Sequence, residues 1–222
     1  MYKYQFGFRQ GHSTSHALIE IIDNMKSAID NDKYVCGIFL DLSKAFDTVN
    51  HDILLRKLQH NGIRSQTNRL FKSYLTNRKQ SVEIDKIRSP CLPISCGVPQ
   101  GSVLGPLLFL IYINDMANKC PLGNIRLFAD DTNIFISHNN IDQLYINAQL
   151  ILIYIFKWFQ DNKLTVNSSK SSFTIFTTPY RRKNTNLFSE IQVKEHKIYM
   201  SNTTRYLGVI LDEDLTSCIS HL

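Results

Sequence analysis

Two adjacent aspartates, Asp130 and Asp131, lie between two apolar runs and have the chemistry to hold a divalent metal ion. The runs cover residues 124–128 and 132–136, and the second alternates polar and apolar residues as a half-buried strand does. This pattern predicts a β-hairpin with both carboxylates at its tip. Neighbouring carboxylates repel each other, and oxygen ligands of this kind suit hard cations such as Mg2+. An isolated pair of aspartates is also typical of a surface turn.

A third carboxylate, Asp41, ends a continuously apolar run over residues 34–40, which predicts a central strand buried on both faces. If this strand is a neighbour of the hairpin, Asp41 meets Asp130 and Asp131 at one edge of the sheet. Such a cluster can hold two Mg2+ ions about 3.5–4 Å apart, the arrangement used for phosphoryl transfer. Taken alone, Asp41 is equally typical of a surface acid at the end of a strand.

The apolar fraction, the net charge and the cysteine count limit the classes of protein to which the chain can belong. Apolar residues make up 43% of the 222 residues, which is enough for a real core. The net charge of +6 favours an anionic partner, of which nucleic acid is the commonest. The five cysteines are odd in number and contain no CxxC pair, so we expect reduced thiols, no disulfide framework and no zinc site.

The apolar segments do not predict a membrane or secretory protein. The N-terminus lacks the apolar core of a signal peptide, and the longest apolar stretches, residues 103–113 and 148–156, are too short to span a bilayer. We therefore expect no membrane partner and an intracellular location.

The order of predicted elements indicates an α+β domain with helices packed on one face of an antiparallel sheet, because no regular βαβ rhythm is present. Helices are predicted over 14–29, 52–60, 68–75 and 141–162, and one more follows the loop 97–101 with Ser102 as its cap. Strands are predicted over 34–40, 80–84, 92–96, 172–177, 191–199 and 205–211, and Arg181-Arg182-Lys183 is predicted to be a solvated turn.

Six segments, which follow one another along the chain in the same order, resemble the conserved motifs of reverse transcriptases. Their amino-acid sequences are most similar to those of jockey-like non-LTR (LINE-type) retrotransposons. The segments are Phe6-Gly-Phe-Arg-Gln-Gly-His-Ser-Thr14, Ile38-Phe-Leu-Asp-Leu-Ser-Lys-Ala-Phe-Asp47, Gly97-Val-Pro-Gln-Gly-Ser102 with Leu104-Gly-Pro106, Phe128-Ala-Asp-Asp131, Leu164-Thr-Val-Asn167 through Lys170, and Arg205-Tyr-Leu-Gly-Val209.

The resemblance implies the palm of a right-hand polymerase, an antiparallel sheet backed by helices, with partial fingers and without a thumb. It predicts partial fingers over residues 1–33 and a palm over 34–211. A second fingers segment is expected to be inserted at about 52–95. The residues 212–222 are expected to be a truncated start of the thumb or of a connection.

The resemblance also implies an RNA-directed DNA polymerase that adds dNTPs to a DNA primer on an RNA template, by target-primed reverse transcription. Asp41, Asp130 and Asp131 would be the catalytic residues and the ligands of two Mg2+ ions, for which Mn2+ can substitute. Lys170 resembles the residue that protonates the leaving pyrophosphate, a role open to a well-placed lysine.

Further residues acquire substrate-binding roles from the resemblance. Arg9 would contact the triphosphate, Phe46 would exclude a 2′-hydroxyl, and Gln100 with Gly101 would line the pocket for the incoming base and the template. A primer-grip hairpin would hold the primer by its backbone at Tyr206, Leu207 and Gly208.

Three alternatives remain open from the sequence. The chain could be a truncated, catalytically inactive retrotransposon remnant, or a nucleic-acid-binding module without chemistry. An RNA-directed RNA polymerase is a less favoured alternative, because Phe46 and the sequence Phe128-Ala-Asp-Asp131 both favour DNA synthesis.

Overall fold

The structure, a computed structural model, describes residues 1–119, 123–215 and 219–220, so the predicted start of a thumb or connection falls partly outside the described residues. The helices are α1 Thr14–Asp30, α2 His51–His60, α3 Ser65–Leu75, α4 Leu104–Ile113, α5 Ile141–Asp161 and α6 Pro179–Lys183, with a 3-10 turn at Ala117–Lys119. The strands are β1 Tyr34–Leu40, β2 Lys79–Gln80, β3 Glu83–Ile84, β4 Ile87–Arg88, β5 Leu92–Pro93, β6 Asn124–Phe128, β7 Asp131–His138, β8 Ser172–Phe176, β9 Glu190–Val193, β10 His196–Met200, β11 Thr203–Tyr206, β12 Val209–Asp212 and β13 Ile219–Ser220.

A six-stranded sheet in the order β6-β7-β1-β8-β10-β9 forms the centre of the fold. Every neighbouring pair is antiparallel except β8 and β10. The apolar run that predicted a central strand is β1, and all seven of its residues are buried. The predicted bounds of this strand are confirmed, because a strand covered on both faces reads as an unbroken apolar run.

The two faces of the sheet are covered differently. Alternate residues of β1, among them Cys36 and Ile38, pack into the main core with α2, α4 and α5. Val35 and Phe39 point to the other face, where they pack with α1 and the small sheet β11-β12-β13. The prediction that helices cover one face is therefore wrong for α1, which packs on the opposite face through its own apolar stripe.

Local capping signals set the helix starts. The Ser13 hydroxyl accepts a hydrogen bond from the backbone N–H of His16 and starts α1 as predicted. The Ser102 hydroxyl accepts from the N–H of Gly105 at 3.0 Å, so it caps α4 from just outside the helix. Within the described ranges, none of these helices combines the length and apolar character needed to cross a membrane.

Three predicted strands are wrong because each is interrupted, two of them by a turn. The segment predicted over 191–199 is the hairpin β9–β10, with Lys194 in the left-handed region at φ 52°. The strand predicted over 205–211 is the hairpin β11–β12, and its turn residues Leu207 and Gly208 both have positive φ, as a type I′ turn requires. The strand predicted over 80–84 is divided between two short ribbons.

The predicted solvated turn at residues 181–183 is also wrong. These residues belong to the short helix α6, and the Arg182 guanidinium forms ion pairs with Glu213 at 3.0 Å and Asp214 at 2.6 Å. The two acids lie about thirty residues further along the chain, so the local sequence did not indicate the pairing.

Four aromatic side chains, Phe39, Phe135, Phe176 and Tyr206, form a ring seam between the large sheet and the hairpin β11–β12. The ring of Tyr206 lies 6.0 Å from those of Phe39 and Phe135. Gly37 leaves space for them, because a Cβ atom there would stand 2.9 Å from a ring carbon of Phe176. The ring seam thus places the hairpin β11–β12 against the middle of the sheet.

Candidate active site

Asp41 and the Asp130-Asp131 pair lie at the same end of two neighbouring strands. The last pair in the ladder between β1 and β7 joins Leu40 to Thr132, so one residue further Asp41 stands opposite Asp131. The convergence that the sequence predicted, given neighbouring strands, therefore follows from the register of this ladder.

The hairpin β6–β7 carries the two adjacent acids as predicted. Phe128 pairs with Asp131, and Ala129 with Asp130 forms the turn between them. Ala129 has φ 54°, a conformation that costs an L-residue energy unless its surroundings enforce it. Asp130 thus lies in the turn and Asp131 begins β7, and of the two only Asp131 lines the cavity beside Asp41.

The loop after α5 holds the backbone of Asp41. The N–H of Asp41 donates to the Ser171 hydroxyl at 3.1 Å, and its carbonyl accepts from the N–H of Asn167 at 2.9 Å. The Ser171 hydroxyl in turn donates to the carbonyl of Asn167 at 2.8 Å. This network brings the segment with Lys170, which resembled the fourth motif, beside the first.

A cavity of about 140 Å³, here called the catalytic cavity, joins several of the predicted site residues. Its lining includes five of them, namely Asp41, Asp131, Lys170, Tyr206 and Leu207. The other four lining residues were not predicted to belong to the site, namely the apolar Phe39 and Leu40 and the polar Asn133 and Arg205. Strand alternation signals Asn133, because it lies two residues after Asp131 and on the same side of β7. Arg205 directly precedes the predicted primer grip.

The carboxylates influence one another electrostatically. Partial burial raises the pKa of Asp131 to about 6, and repulsion from Asp130 and then from Asp41 adds to the rise. Burial also raises the pKa of Asp130, with a further contribution from Asp41 and an opposing one from a backbone hydrogen bond. Carboxyl groups that resist ionisation in this way gain from a nearby cation, because the cation removes the repulsion.

This electrostatic strain predicts a pH-dependent stabilisation when one acid is removed. Because the pKa of Asp131 is raised above its ordinary value of 3.8, the folded chain binds more protons than the unfolded chain between about pH 4 and pH 6. Stability is therefore lost as the pH rises through that window. We expect Asp131→Asn to raise the midpoint of thermal unfolding in EDTA at pH 8 and to change it little at pH 4.

The matched control for this measurement is Asp23→Asn, which removes an exposed carboxylate from α1. It should leave the difference between the two pH values unchanged. An equal gain from Asp131→Asn at pH 4 and pH 8 would show that ionisation of the partly buried, crowded Asp131 carboxyl is not the cause.

The donor chemistry of the site fits a hard divalent cation. Three carboxylates within electrostatic range of one another supply the oxygen ligands that Mg2+ prefers. Within the described ranges, no three His, Cys, Asp or Glu side chains already converge as a closed metal cluster. The aspartates therefore supply oxygen ligands suited to a divalent cation at the end of the sheet, but they do not by themselves form a complete coordination shell.

A second cavity, here called the loop cleft, has a volume of about 670 Å³ and lies beside the loop 97–101. The side chain of Gln100 lines it and donates a hydrogen bond to the Asp47 carboxylate at 2.7 Å. Gly101 has φ 77° with open space on the side of its missing Cβ. Two basic residues, Arg78 and Lys79, also line it.

Phe46 connects the core of the fold to the loop 97–101 beside the loop cleft. Its ring stacks on that of Phe109 in α4, with the centroids 4.4 Å apart, and its side chain is half-buried. Its carbonyl accepts from the N–H of Val98 at 2.8 Å, which joins the loop 97–101 to the segment after Asp41. Phe46 therefore packs against the core and also retains an accessible surface.

Arg9 lies apart from the other predicted substrate residues. Its Nη1 donates to the backbone carbonyls of Tyr2 at 2.9 Å and Gln5 at 3.0 Å, and more weakly to that of Lys3. Among the described residues, these bonds leave the other two guanidinium nitrogens without a protein partner. The structure thus gives Arg9 a role in shaping the N-terminal segment, and a phosphate contact remains a prediction.

The predicted primer-grip residues form the tip of the β11–β12 hairpin. Tyr206 is buried in the ring seam, and burial raises the pKa of its hydroxyl. Leu207 lines the catalytic cavity, and Gly208 completes the turn. The backbone at this turn consequently lies across the catalytic cavity from Asp41 and Asp131.

A further cavity of about 510 Å³ lies between α5 and the β9–β10 hairpin, and none of the predicted site residues lines it.

Comparison with known proteins agrees with this architecture. The family described as reverse transcriptase (RNA-dependent DNA polymerase) matches residues 1–211. The chain is 31% identical over 221 residues to the RNA-directed DNA polymerase from mobile element jockey of Drosophila melanogaster, covering 96% of this chain and 24% of that protein. It is 32% identical over 218 residues to the probable RNA-directed DNA polymerase from transposon X-element of the same species, covering 96% of this chain and 23% of that protein.

Among solved structures, the fold is similar to that of Candida tropicalis telomerase in complex with a fragment of telomeric RNA. The TM-score is 0.63 at 11% identity, and the match covers 94% of this chain and 33% of the telomerase chain. This likeness concerns the fold alone. The chain spans about a quarter of the length of the curated relatives that it matches. It belongs to the reverse transcriptase family, and the relatives named above are RNA-directed DNA polymerases of mobile elements.

Proposed function

We propose that this chain catalyses RNA-directed DNA synthesis, the addition of dNTPs to the 3′ end of a DNA primer on an RNA template. One observation carries the proposal. Asp41 and Asp131 lie on neighbouring strands and face a cavity that Lys170 and the turn after Tyr206 also line. Membership of the reverse transcriptase family supports the reaction type. We also propose that the reaction occurs inside the cell, in the nucleus or cytoplasm.

We propose that Asp41 and Asp130 are the main ligands of two Mg2+ ions, for which Mn2+ can substitute, and that Asp131 supports the site as the third carboxylate. The raised pKa values of Asp130 and Asp131 support this assignment, because crowded carboxylates favour a cation. When bound, such ions supply activation of the primer hydroxyl and neutralisation of the charge that develops on the phosphates.

Lys170 is proposed to give its proton to the leaving pyrophosphate. Its side chain is exposed and lines the catalytic cavity, and its backbone N–H donates to the carbonyl of Asn167 at 3.1 Å. A lysine at the mouth of an acidic site can serve as a general acid when the substrate brings the reacting oxygen within hydrogen-bond distance.

The incoming nucleotide is proposed to lie between the catalytic aspartates and the loop cleft. Phe46 would pack under the sugar and exclude a 2′-hydroxyl, while Gln100 and Gly101 line the space for the base and the template. Gly101 suits this role because a residue without a Cβ lets backbone and ligand approach closely. The free nitrogens of Arg9 would contact the triphosphate, since a guanidinium can hold two phosphate oxygens at once.

The turn at Tyr206, Leu207 and Gly208 is proposed to hold the primer by its backbone. Its place beside the catalytic cavity supports this role, because a primer terminus bound there would lie next to Asp41 and Asp131.

Cysteine labelling tests the proposed path of the nucleic acid. Burial raises the pKa of the Cys36 thiol, so we expect no reaction with a maleimide in the folded chain. Cys91 and Cys96 are exposed and should react, but only Cys96 lines the loop cleft. An RNA template with a DNA primer should therefore slow the labelling of Cys96 more than that of Cys91, as measured by the fragment ions of the peptide 89–119, which carries both thiols.

The cysteine test has a clear negative outcome. Equal protection of Cys91 and Cys96 would place the nucleic acid elsewhere. The remaining cysteines, Cys120 and Cys218, lie outside the described residues and fall on separate peptides.

The direct test of the proposed function is primer extension on an RNA template with dNTPs, in EDTA, Mg2+ or Mn2+. We expect extension that requires a divalent metal and is lost in the double variant Asp130→Asn, Asp131→Asn. A folded chain that binds template and primer without extending them would instead be a nucleic-acid-binding module. A folded chain that does neither would be an inactive remnant.

A further inference from the structure

The turn that carries Asp130 is held by a segment outside the hairpin. Ala129 is 5% exposed, and its φ of 54° is unfavourable for a residue with a Cβ atom. A two-residue turn in this conformation needs a partner for its backbone groups, because buried N–H groups without an acceptor destabilise the fold.

The N-terminal segment supplies that partner by lying along β6. The N–H of Leu127 donates to the carbonyl of Tyr4 at 3.0 Å, and the N–H of Phe6 donates to the carbonyl of Leu127 at 2.8 Å. Gln5 lies between these two bonds and pairs with Leu127 in a short parallel bridge. The edge strand of the catalytic hairpin is therefore covered and fixed in register.

The side chain of Gln5 reaches past the end of β6 to the turn itself. It is 1% exposed, and its Oε1 accepts from the N–H of Ala129 at 3.1 Å and from the N–H of Gly7 at 2.9 Å. One buried oxygen thus joins the turn of the catalytic hairpin to the N-terminal segment.

Gly7 allows the two backbones to come this close. A Cβ atom at residue 7 would stand 2.4 Å from the Ala129 nitrogen and 3.0 Å from the Phe128 carbonyl carbon. Backbone atoms cannot move aside as a flexible side chain can, so any larger residue at position 7 would displace the turn.

We propose that Gln5 is a positioning residue for the catalytic aspartates, which holds the Ala129–Asp130 turn in its left-handed conformation through the shared Oε1 acceptor. The inference rests on the proposed function in one respect, namely that Asp130 and Asp131 act in catalysis. Gln5 does not face the catalytic cavity and acts through the backbone of the turn.

The test compares three substitutions in the full chain. Gln5→Met keeps the length of the side chain and removes the acceptor, whereas Gln5→Glu keeps an acceptor oxygen for both N–H groups. Gln10→Met is the matched control, because Gln10 is an exposed glutamine of the same segment. Amide hydrogen exchange at Ala129 and Gly7 reports on the contact, and single-turnover primer extension reports on its effect.

We expect exchange at the Ala129 amide to become about 5- to 30-fold faster in Gln5→Met, the range for a contact worth 1–2 kcal/mol. We also expect kcat for primer extension to fall about tenfold while the KM for dNTP stays constant, because the substrate contacts are intact. Gln5→Glu should recover most of the protection and most of the rate, and Gln10→Met should equal the wild type.

The outcomes separate this inference from the proposed function. If the wild type does not extend primers, the proposed function fails, yet hydrogen exchange at Ala129 still decides whether Gln5 holds the turn. Rapid exchange at Ala129 in the wild type would overturn the inference even if no variant folds. Unchanged exchange in a folded Gln5→Met, or an equal loss of rate in Gln5→Glu, would also overturn it.

Discussion

Asp41→Asn is expected to reduce metal-dependent primer extension on an RNA template at least about 100-fold, the scale on which a single lost electrostatic contact to the transition state reduces kcat. Asparagine keeps the shape of the side chain and the backbone bonds to Ser171 and Asn167, but it removes the negative charge that a metal ion requires. Single-turnover extension with saturating template, primer and dNTP measures the loss directly.

Asp23→Asn serves as the control for this substitution, since it removes the same charge from the exposed face of α1. It should extend primers at the wild-type rate. Circular dichroism should show an intact fold in Asp41→Asn, because Asp41 is only partly buried and follows the last ladder pair of β1. Wild-type extension by Asp41→Asn would mean that the measured activity comes from another site or another protein.

Phe46→Val is expected to lower the preference for dNTPs over ribonucleotides by about 10- to 200-fold, the range of discrimination that the fit of a hydrophobic pocket provides. The smaller side chain leaves room for a 2′-hydroxyl in the space that the Phe46 ring, stacked on the ring of Phe109, now occupies. The ratio of kcat/KM for a dNTP and for the matching ribonucleotide measures the change, and it is insensitive to the fraction of active protein.

The control for Phe46→Val is Phe71→Val, a substitution at another half-buried phenylalanine that packs against the same core. Both variants lose apolar packing, so both should unfold at a somewhat lower temperature. Only Phe46→Val should change sugar selectivity. Equal selectivity in the two variants would assign Phe46 to the core alone.

Local patterns predicted the elements that carry the aspartates. The unbroken apolar run of β1 and the alternation after Asp131 each depend on residues adjacent in sequence, so periodicity was sufficient. That the two strands are neighbours was only a condition for the predicted convergence of Asp41 with the hairpin, and the ladder between them meets that condition.

The turn at Lys194 and the long-range contacts could not be predicted from the sequence. Lys194 adopts a positive φ that the chain does not signal with glycine or asparagine, so one strand was predicted where two exist. Gln5 is an amide in an ordinary-looking N-terminal run, and its importance depends on the register of that run against β6. Asn133 required knowledge of which side of β7 faces the cavity.

Two parts of the proposed site, the aspartate Asp131 on β7 and the hairpin β11–β12, differ in stiffness, because the hairpin packs against the sheet through the ring seam. Asp131 pairs with Phe128 in the ladder between β6 and β7, and the next residue, Thr132, pairs with Leu40 of β1, so displacement by even one ångström breaks directional bonds. Within the described residues, the hairpin β11–β12 shares no ladder with that sheet and rests on it through Tyr206. Apolar contacts are non-directional, so a small rotation of the hairpin changes little in energy. If the turn of this hairpin holds the primer as proposed, we expect the primer end to move more readily than the aspartates.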